Sequence, residues 1–141
     1  MKIINILLLI LAVSVFAACQ GASEKASVEK TAVPAPEAVI MQVSPADAQK
    51  AVEAGGVQFI DVRTDAEYKS GHAPKAVNMP LDQLETEMVK LDKSRPVYVI
   101  CQTGRRSQMG AEKLQKAGFS TLYNVEGGTS GWQSAGLPVD K

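Results

Sequence analysis

The sequence predicts an α/β domain over residues 40–141, with a mainly parallel central sheet flanked by helices on both faces. Three observations carry that expectation. Short apolar runs alternate with helix-patterned segments throughout this stretch. One of the runs, Pro96-Val97-Tyr98-Val99-Ile100, is nearly continuous, as a parallel strand buried on both faces has to be. Gly55, Gly71 and Gly118 stand where helical segments should stop, because glycine enters the left-handed C-cap conformation without steric cost.

Each element has its own signal. Ser44-Pro45-Ala46-Asp47 combines an N-cap, a proline at the first helical position and an acid matched to the helix dipole, so a helix runs to about Ala54. Val57-Gln58-Phe59-Ile60-Asp61-Val62 is a short apolar strand, and Asp65–Ser70 is a short helix ended by Gly71. Ala76-Val77-Asn78-Met79 is strand-like and closes at Pro80, which has no donor for a ladder. Leu81, Leu84, Met88 and Leu91 recur at helical spacing and mark one helix face. The central run Val97–Ile100 comes next, followed by a helix over Ser107–Ala117. Thr121–Val125 is the last strand, and Gly128-Thr129-Ser130-Gly131-Trp132 opens a short final helix. About 100 residues suffice to bury one such sheet.

The whole chain has 141 residues, with Lys+Arg and Asp+Glu balanced at 15 each. No basic excess is available to attract nucleic acid. Two cysteines exclude a multiply stapled mini-protein and a four-thiolate zinc site. The composition is uneven, however. Residues 1–18 read as an export signal: Lys2, an apolar run from Ile3 to Val13, then a small-residue exit. A retained membrane helix is the rival reading, since the run is near the lower limit for a span. Small residues leading straight to Cys19, with no basic stop-transfer cluster after it, disfavour that rival. Phe16-Ala17-Ala18-Cys19 resembles the lipobox of bacterial lipoproteins, with Phe16 where leucine is commoner. The resemblance implies acylation of Cys19 and cleavage that leaves it as the first mature residue. Gln20, rather than aspartate, is compatible in that family with sorting to the outer membrane. Residues 19–39 then form a lipidated N-terminus and flexible linker of Ala, Ser, Glu, Lys, Val and Pro, including Pro34 and Pro36. Roughly 20 such residues span roughly 25 Å. The expected location is the bacterial cell envelope, anchored to membrane and facing the periplasm.

The chemistry centres on Cys101. It follows the central strand, and ligands of α/β sheets bind beyond the carboxyl ends of strands. Gln102-Thr103-Gly104-Arg105-Arg106-Ser107 come next and lead into a helix. A short loop entering a helix aims backbone N–H groups at its centre, and the helix dipole and two arginines add positive charge. These influences favour the thiolate, which is the nucleophilic form. A buried structural cysteine is the plainer alternative, and the strand-end position weighs against it.

The segment Cys101-Gln102-Thr103-Gly104-Arg105-Arg106-Ser107 matches C-x-x-G-x-R-[ST], and it resembles the active loop of rhodanese-like sulfurtransferases. Asp61-Val62-Arg63, the stretch Glu67–Pro80 with Gly71-His72 and Ala76-Val77-Asn78, and the closing Glu126-Gly127-Gly128 and Gly131-Trp132 resemble other motifs of that family. The resemblance covers about residues 45–140. Ala73 and Lys75 depart from it, standing where a large aliphatic and a glycine are usual, which puts the local turn in question. The resemblance implies a single-domain sulfurtransferase of the thiosulfate type. Cys101 would take sulfane sulfur from a donor such as thiosulfate, hold it as a persulfide within the loop of residues 102–107, and pass it to a thiol or cyanide. This is double displacement with ping-pong kinetics. Arg106 is assigned to charge stabilisation and loop shape, and Arg105 to an anionic donor or to solvent. Asp61 and Arg63 form a supporting ion pair. His72 fixes a turn rather than activating the thiol, and Trp132 is packed.

Two other function classes stay open at this point. One is a sulfur-binding or partner-docking module with little turnover, which an intact loop also permits. The other is a phosphatase or arsenate reductase, whose loops run C-x5-R. Here Cys101 to Arg106 is C-x4-R, and Ser107 takes the arginine's place. No metal cluster, nucleotide-binding glycine loop or serine-nucleophile elbow is present in the sequence, so neither metal nor cofactor is expected. The expected partners are a small sulfur donor, a thiol or cyanide acceptor and the membrane at Cys19, with no nucleic acid.

Overall fold

The computed structural model describes residues 38–141. The expected signal segment, Cys19 and the expected linker up to residue 37 lie outside the described residues. Five strands, β1 (Ile40–Val43), β2 (Gln58–Asp61), β3 (Val77–Asn78), β4 (Val97–Ile100) and β5 (Leu122–Val125), form one sheet in the order β1-β5-β4-β2-β3. Every neighbouring pair is parallel, with Asp61 opposite Ile100 and Val43 opposite Val125. Five helices accompany them: α1 (Pro45–Ala54), α2 (Asp65–Ser70), α3 (Leu84–Glu87), α4 (Arg105–Lys116) and α5 (Gly128–Ser134).

The side-chain alternation of the strands divides the core in two. Ile60, Val62, Val97, Val99 and Leu122 pack with Leu84 of α3 and with Ala111 and Leu114 of α4. Phe59, Tyr98, Ile100 and Val125 pack on the other face with Ala48 and Val52 of α1 and Trp132 of α5. All four residues of β4 are buried, as its unbroken apolar run requires. Full burial of each Val, Leu or Ile contributes about 1.5–3 kcal/mol.

Local signals explain most boundaries. Ser44 Oγ accepts from Asp47 N at 3.2 Å and starts α1. Thr64 and Glu67 cap α2 reciprocally: Thr64 Oγ1 accepts from Glu67 N at 3.3 Å, and Glu67 Oε2 accepts from Thr64 N at 3.1 Å. Three expectations need correction. The helix expected along Leu81–Leu91 is only the short α3 followed by a 3-10 turn at Met88–Lys90, because Pro80 to Gln83 form a turn and Gln83 supplies no side-chain cap. Helix α4 begins at Arg105 rather than Ser107, so the loop proper is Cys101–Gly104, and Arg105, Arg106 and Ser107 are the first helical turn. Residues 40–43, assigned no element from sequence, form an edge strand that exists only through pairing with distant β5.

Candidate active site

Strand β4 delivers Cys101 to the carboxyl end of the sheet, between β5 and β2, where it is buried. Gly104, at φ 95°, turns the chain abruptly into α4, and its N–H donates to Cys101 Sγ at 3.1 Å. Helix α5 shapes the opposite side of the loop. Thr129 N and Thr129 Oγ1 donate to Cys101 O at 2.7 and 3.1 Å, and Ser130 N donates to Gln102 O at 3.1 Å. With its carbonyls held outward in this way, the loop turns N–H groups toward the sulfur. Gly128 permits the approach: a Cβ there would lie 2.3 Å from Cys101 O.

Burial pushes the Cys101 thiol up. The Ser107 hydroxyl and the backbone N–H groups of Ser107, Thr103 and Gly104 outweigh it, so the thiol lies below its ordinary value. The N-terminus of the 12-residue α4 points the same way.

The arginines are placed differently from one another. Arg106 turns to Glu67 in a two-pronged ion pair, at 2.8 and 2.6 Å, that ties α4 to α2. The Arg106 guanidinium holds the Glu67 carboxyl down at about 2. Arg106 therefore fixes loop shape, and its guanidinium, raised chiefly by Glu67, also interacts electrostatically with Cys101. Arg105 is exposed and makes no ion pair among the described residues. Asp61 and Arg63 are both buried, joined at 2.7 Å. Arg63 also donates to Gly71 O at 2.8 Å and to Gln102 Oε1 at 3.2 Å. The Gln102 side chain is held at its other end by Ser130 Oγ at 2.9 Å, so the pair braces the active loop. Thr103 is exposed at the loop tip.

The contacts of His72 are with Tyr68 and Asp140. Its ring stacks on Tyr68 at 3.7 Å, its Nδ1 lies 3.0 Å from Tyr68 O, and its backbone exchanges hydrogen bonds with Asp140. A carbonyl accepts only, so Nδ1 carries the proton. Trp132 is buried against Phe59 and donates to Pro138 O at 2.8 Å. Glu126 is exposed. Lys75 keeps the left-handed backbone of the glycine it replaces, at φ 63°.

Two contributors escaped the sequence reading. Glu67 is one; its motif position was visible, but its partner Arg106 is 39 residues away. Asn124 is the other, and its Oδ1 accepts from Ser107 Oγ at 2.6 Å. An amide in a buried central strand was the available signal. Among the described residues no buried side-chain nitrogen or oxygen lacks a partner, and no cluster of potential metal ligands occurs.

This cysteine loop at a strand end, on an all-parallel five-stranded sheet, defines a class that comparison with known proteins identifies. Residues 44–135 match the family model of the rhodanese-like domain, and the chain belongs to that family. It is similar to the thiosulfate sulfurtransferase GlpE of Actinobacillus pleuropneumoniae, 31% identical over 99 residues that cover 70% of this chain and 92% of the relative. A sulfurtransferase of Allochromatium vinosum is 31% identical over 64% of this chain and 85% of its own length. The putative sulfur carrier protein YrkF of Bacillus subtilis is 36% identical over 60% of this chain, but the match spans only 45% of YrkF. Among solved structures, a rhodanese-like domain protein from Staphylococcus aureus superposes with a TM-score of 0.63 at 30% identity, over 72% of this chain and all of that one. A rhodanese-related protein from Thermoplasma volcanium gives 0.64 at 28% identity, over 71% and 97%.

Proposed function

We propose that the protein is a sulfurtransferase of the thiosulfate type that works through a persulfide on Cys101. The observation that carries this reading is the cradle itself. Sγ accepts from the Gly104 N–H at 3.1 Å, and the hydrogen bonds of the Arg106 guanidinium go to Glu67. The thiolate attacks the outer sulfur of thiosulfate. A Cys–S–S bond forms while the donor's S–S bond breaks, and the electron pair leaves with sulfite. The new negative charge sits on the terminal sulfur, where inward N–H groups stabilise it without reorganisation. A thiol or cyanide then attacks that sulfur and regenerates the Cys101 thiolate. Exposed Arg105 at the mouth attracts the anionic donor.

The same geometry argues against a phosphatase or arsenate reductase. Those reactions need a guanidinium to clasp the oxyanion, and Ser107 occupies that position, 3.4 Å from Sγ. A sulfur-binding module with little turnover would use the same persulfide and differ only in its acceptor; YrkF is named a putative sulfur carrier protein. We further propose that acylated Cys19 anchors the protein in the bacterial cell envelope, facing the periplasm; the lipobox-like Phe16-Ala17-Ala18-Cys19 supports this.

Intact mass spectrometry after exposure to thiosulfate tests the reaction. A reducible gain of one sulfur atom is expected, and it should be absent in Cys101→Ala. Absence of any gain with every sulfane donor tried would overturn the persulfide. A gain without turnover by thiols or cyanide would select the carrier role.

A further inference from the structure

A serine hydroxyl has one proton to donate, yet Ser107 Oγ faces two acceptors. One is Asn124 Oδ1 at 2.6 Å, and the other is Cys101 Sγ at 3.4 Å. The shorter contact places the proton on Asn124. The orientation of the Asn124 amide is fixed from its other end. Its Nδ2, with two protons, lies within hydrogen-bond distance of three acceptors: Gly104 O at 3.1 Å, Gln42 Oε1 at 3.0 Å and Gln108 Oε1 at 3.3 Å. Gly104 O can only accept, so flipping the amide would set two acceptors against each other. Ser107 and Asn124 are both buried.

We propose that Asn124 is a positioning residue that sets the direction of the Ser107 proton through the catalytic cycle. With Cys101 as a thiol, S–H can donate to Ser107 Oγ while the hydroxyl donates to Asn124 Oδ1. When the sulfur loses its proton to solvent, the hydroxyl rotates to the thiolate and releases Asn124. When the persulfide forms, the charge moves to the outer sulfur, Sγ becomes neutral, and the proton returns to Asn124. Asn124 thus opposes the thiolate and favours the thiol and the persulfide. The persulfide part of this cycle rests on the proposed reaction, whereas the thiol–thiolate part does not.

The charged groups around Cys101 are Arg105 and Arg106 on α4, Asp61 and Arg63 beyond β2, Glu67 on α2, and Glu126 after β5. Asp61 is paired with Arg63, Glu67 is paired with Arg106, and Arg105 and Glu126 are exposed. None of them hydrogen-bonds to the amide of Asn124 or to the hydroxyl of Ser107 among the described residues.

The test is the pH profile of alkylation, read on the Cys101 peptide of the full chain so that Cys19 does not contribute. It needs no sulfur donor, so its failure is separate from failure of the sulfur-transfer reading. Asn124→Leu frees the hydroxyl for the thiolate and should lower the inflection, giving about three- to tenfold more thiolate well below it, a shift of about half to one pH unit. In a Ser107→Ala background the same substitution should shift nothing. An equal shift with and without the hydroxyl, or no shift in either background, would overturn the proposal. If the leucine variant does not fold, Asn124→Asp keeps the shape of the amide and should raise the inflection. That rise should be smaller in Ser107→Ala; an equal rise in both backgrounds would overturn the proposal.

Discussion

Cys101 and its immediate donors lie within six residues of one another, since Thr103, Gly104 and Ser107 all bear on one sulfur. Such a thiolate needs no histidine, and the one histidine of the chain is occupied with Tyr68 and Asp140. His72→Asn should therefore keep most sulfurtransferase activity in folded protein, whereas Cys101→Ser should abolish it. An assay of thiosulfate-dependent transfer, with circular dichroism to confirm folding, checks the pair; complete loss in folded His72→Asn would refute self-sufficiency of the loop. Glu67 carries a pH signature. Its carboxyl is held below its unfolded value, chiefly by Arg106. The folded state thus binds fewer protons, and the stabilisation is full above about 4.5 and lost as pH falls toward about 2. Both side chains are 35% exposed, so solvent screens the pair, and we expect Glu67→Gln to cost only about 0.5–1 kcal/mol at neutral pH. Urea melts of both proteins at neutral pH and about pH 3 should show the gap narrowing in acid; a constant gap would contradict the linkage.

At the scale of elements, the loop is held between two helix beginnings. The start of α4 aims N–H groups at the sulfur, and the start of α5 takes up the loop's outward carbonyls. The join tolerates no side chain. At Gly128, with φ 56°, a Cβ would meet Cys101 O at 2.3 Å, Gln102 C at 2.7 Å and Thr103 N at 2.8 Å, all backbone. Gly128→Ala should destabilise by about 2–4 kcal/mol and displace the loop. Misplacement on the ångström scale costs as much as ~100-fold in rate, so persulfide formation should fall by a comparable factor. Denaturant unfolding and single-turnover mass spectrometry measure the two effects. Near-normal values of both would show that α5 does not shape the site.

For the whole molecule, the rhodanese-like domain and the proposed anchor should be separable. The domain has its own two-faced core over residues 38–141, and every group named at the sulfur lies within it. Cys19→Ser should release the protein from membranes or stall its processing, with sulfur transfer by the purified protein unchanged. Cell fractionation together with the transfer assay checks this, and full membrane retention of a correctly cleaved, unacylated product would refute the anchor.

What the sequence by itself determined is what depends on neighbouring residues. The caps at Ser44 and Thr64, the glycine stops, the buried strand Val97–Ile100 and the loop running from Cys101 follow from backbone sterics and hydrogen bonds over a few positions. Cys101 as the candidate nucleophile was legible for that reason, because a strand end, a loop and a helix start are contiguous. The tertiary structure alone decided what depends on distant pairing. It made residues 40–43 a strand by laying them beside β5, and it cut the expected Leu81–Leu91 helix to a few residues. It paired Arg106 with Glu67, because a guanidinium and a carboxylate form strong two-pronged hydrogen bonds, and only the fold brings that carboxylate, 39 residues away in the chain, within reach. It also set Asn124 beside Ser107 across 17 residues of chain, a contact no local pattern encodes, since the strand register of β5 against β4 creates it.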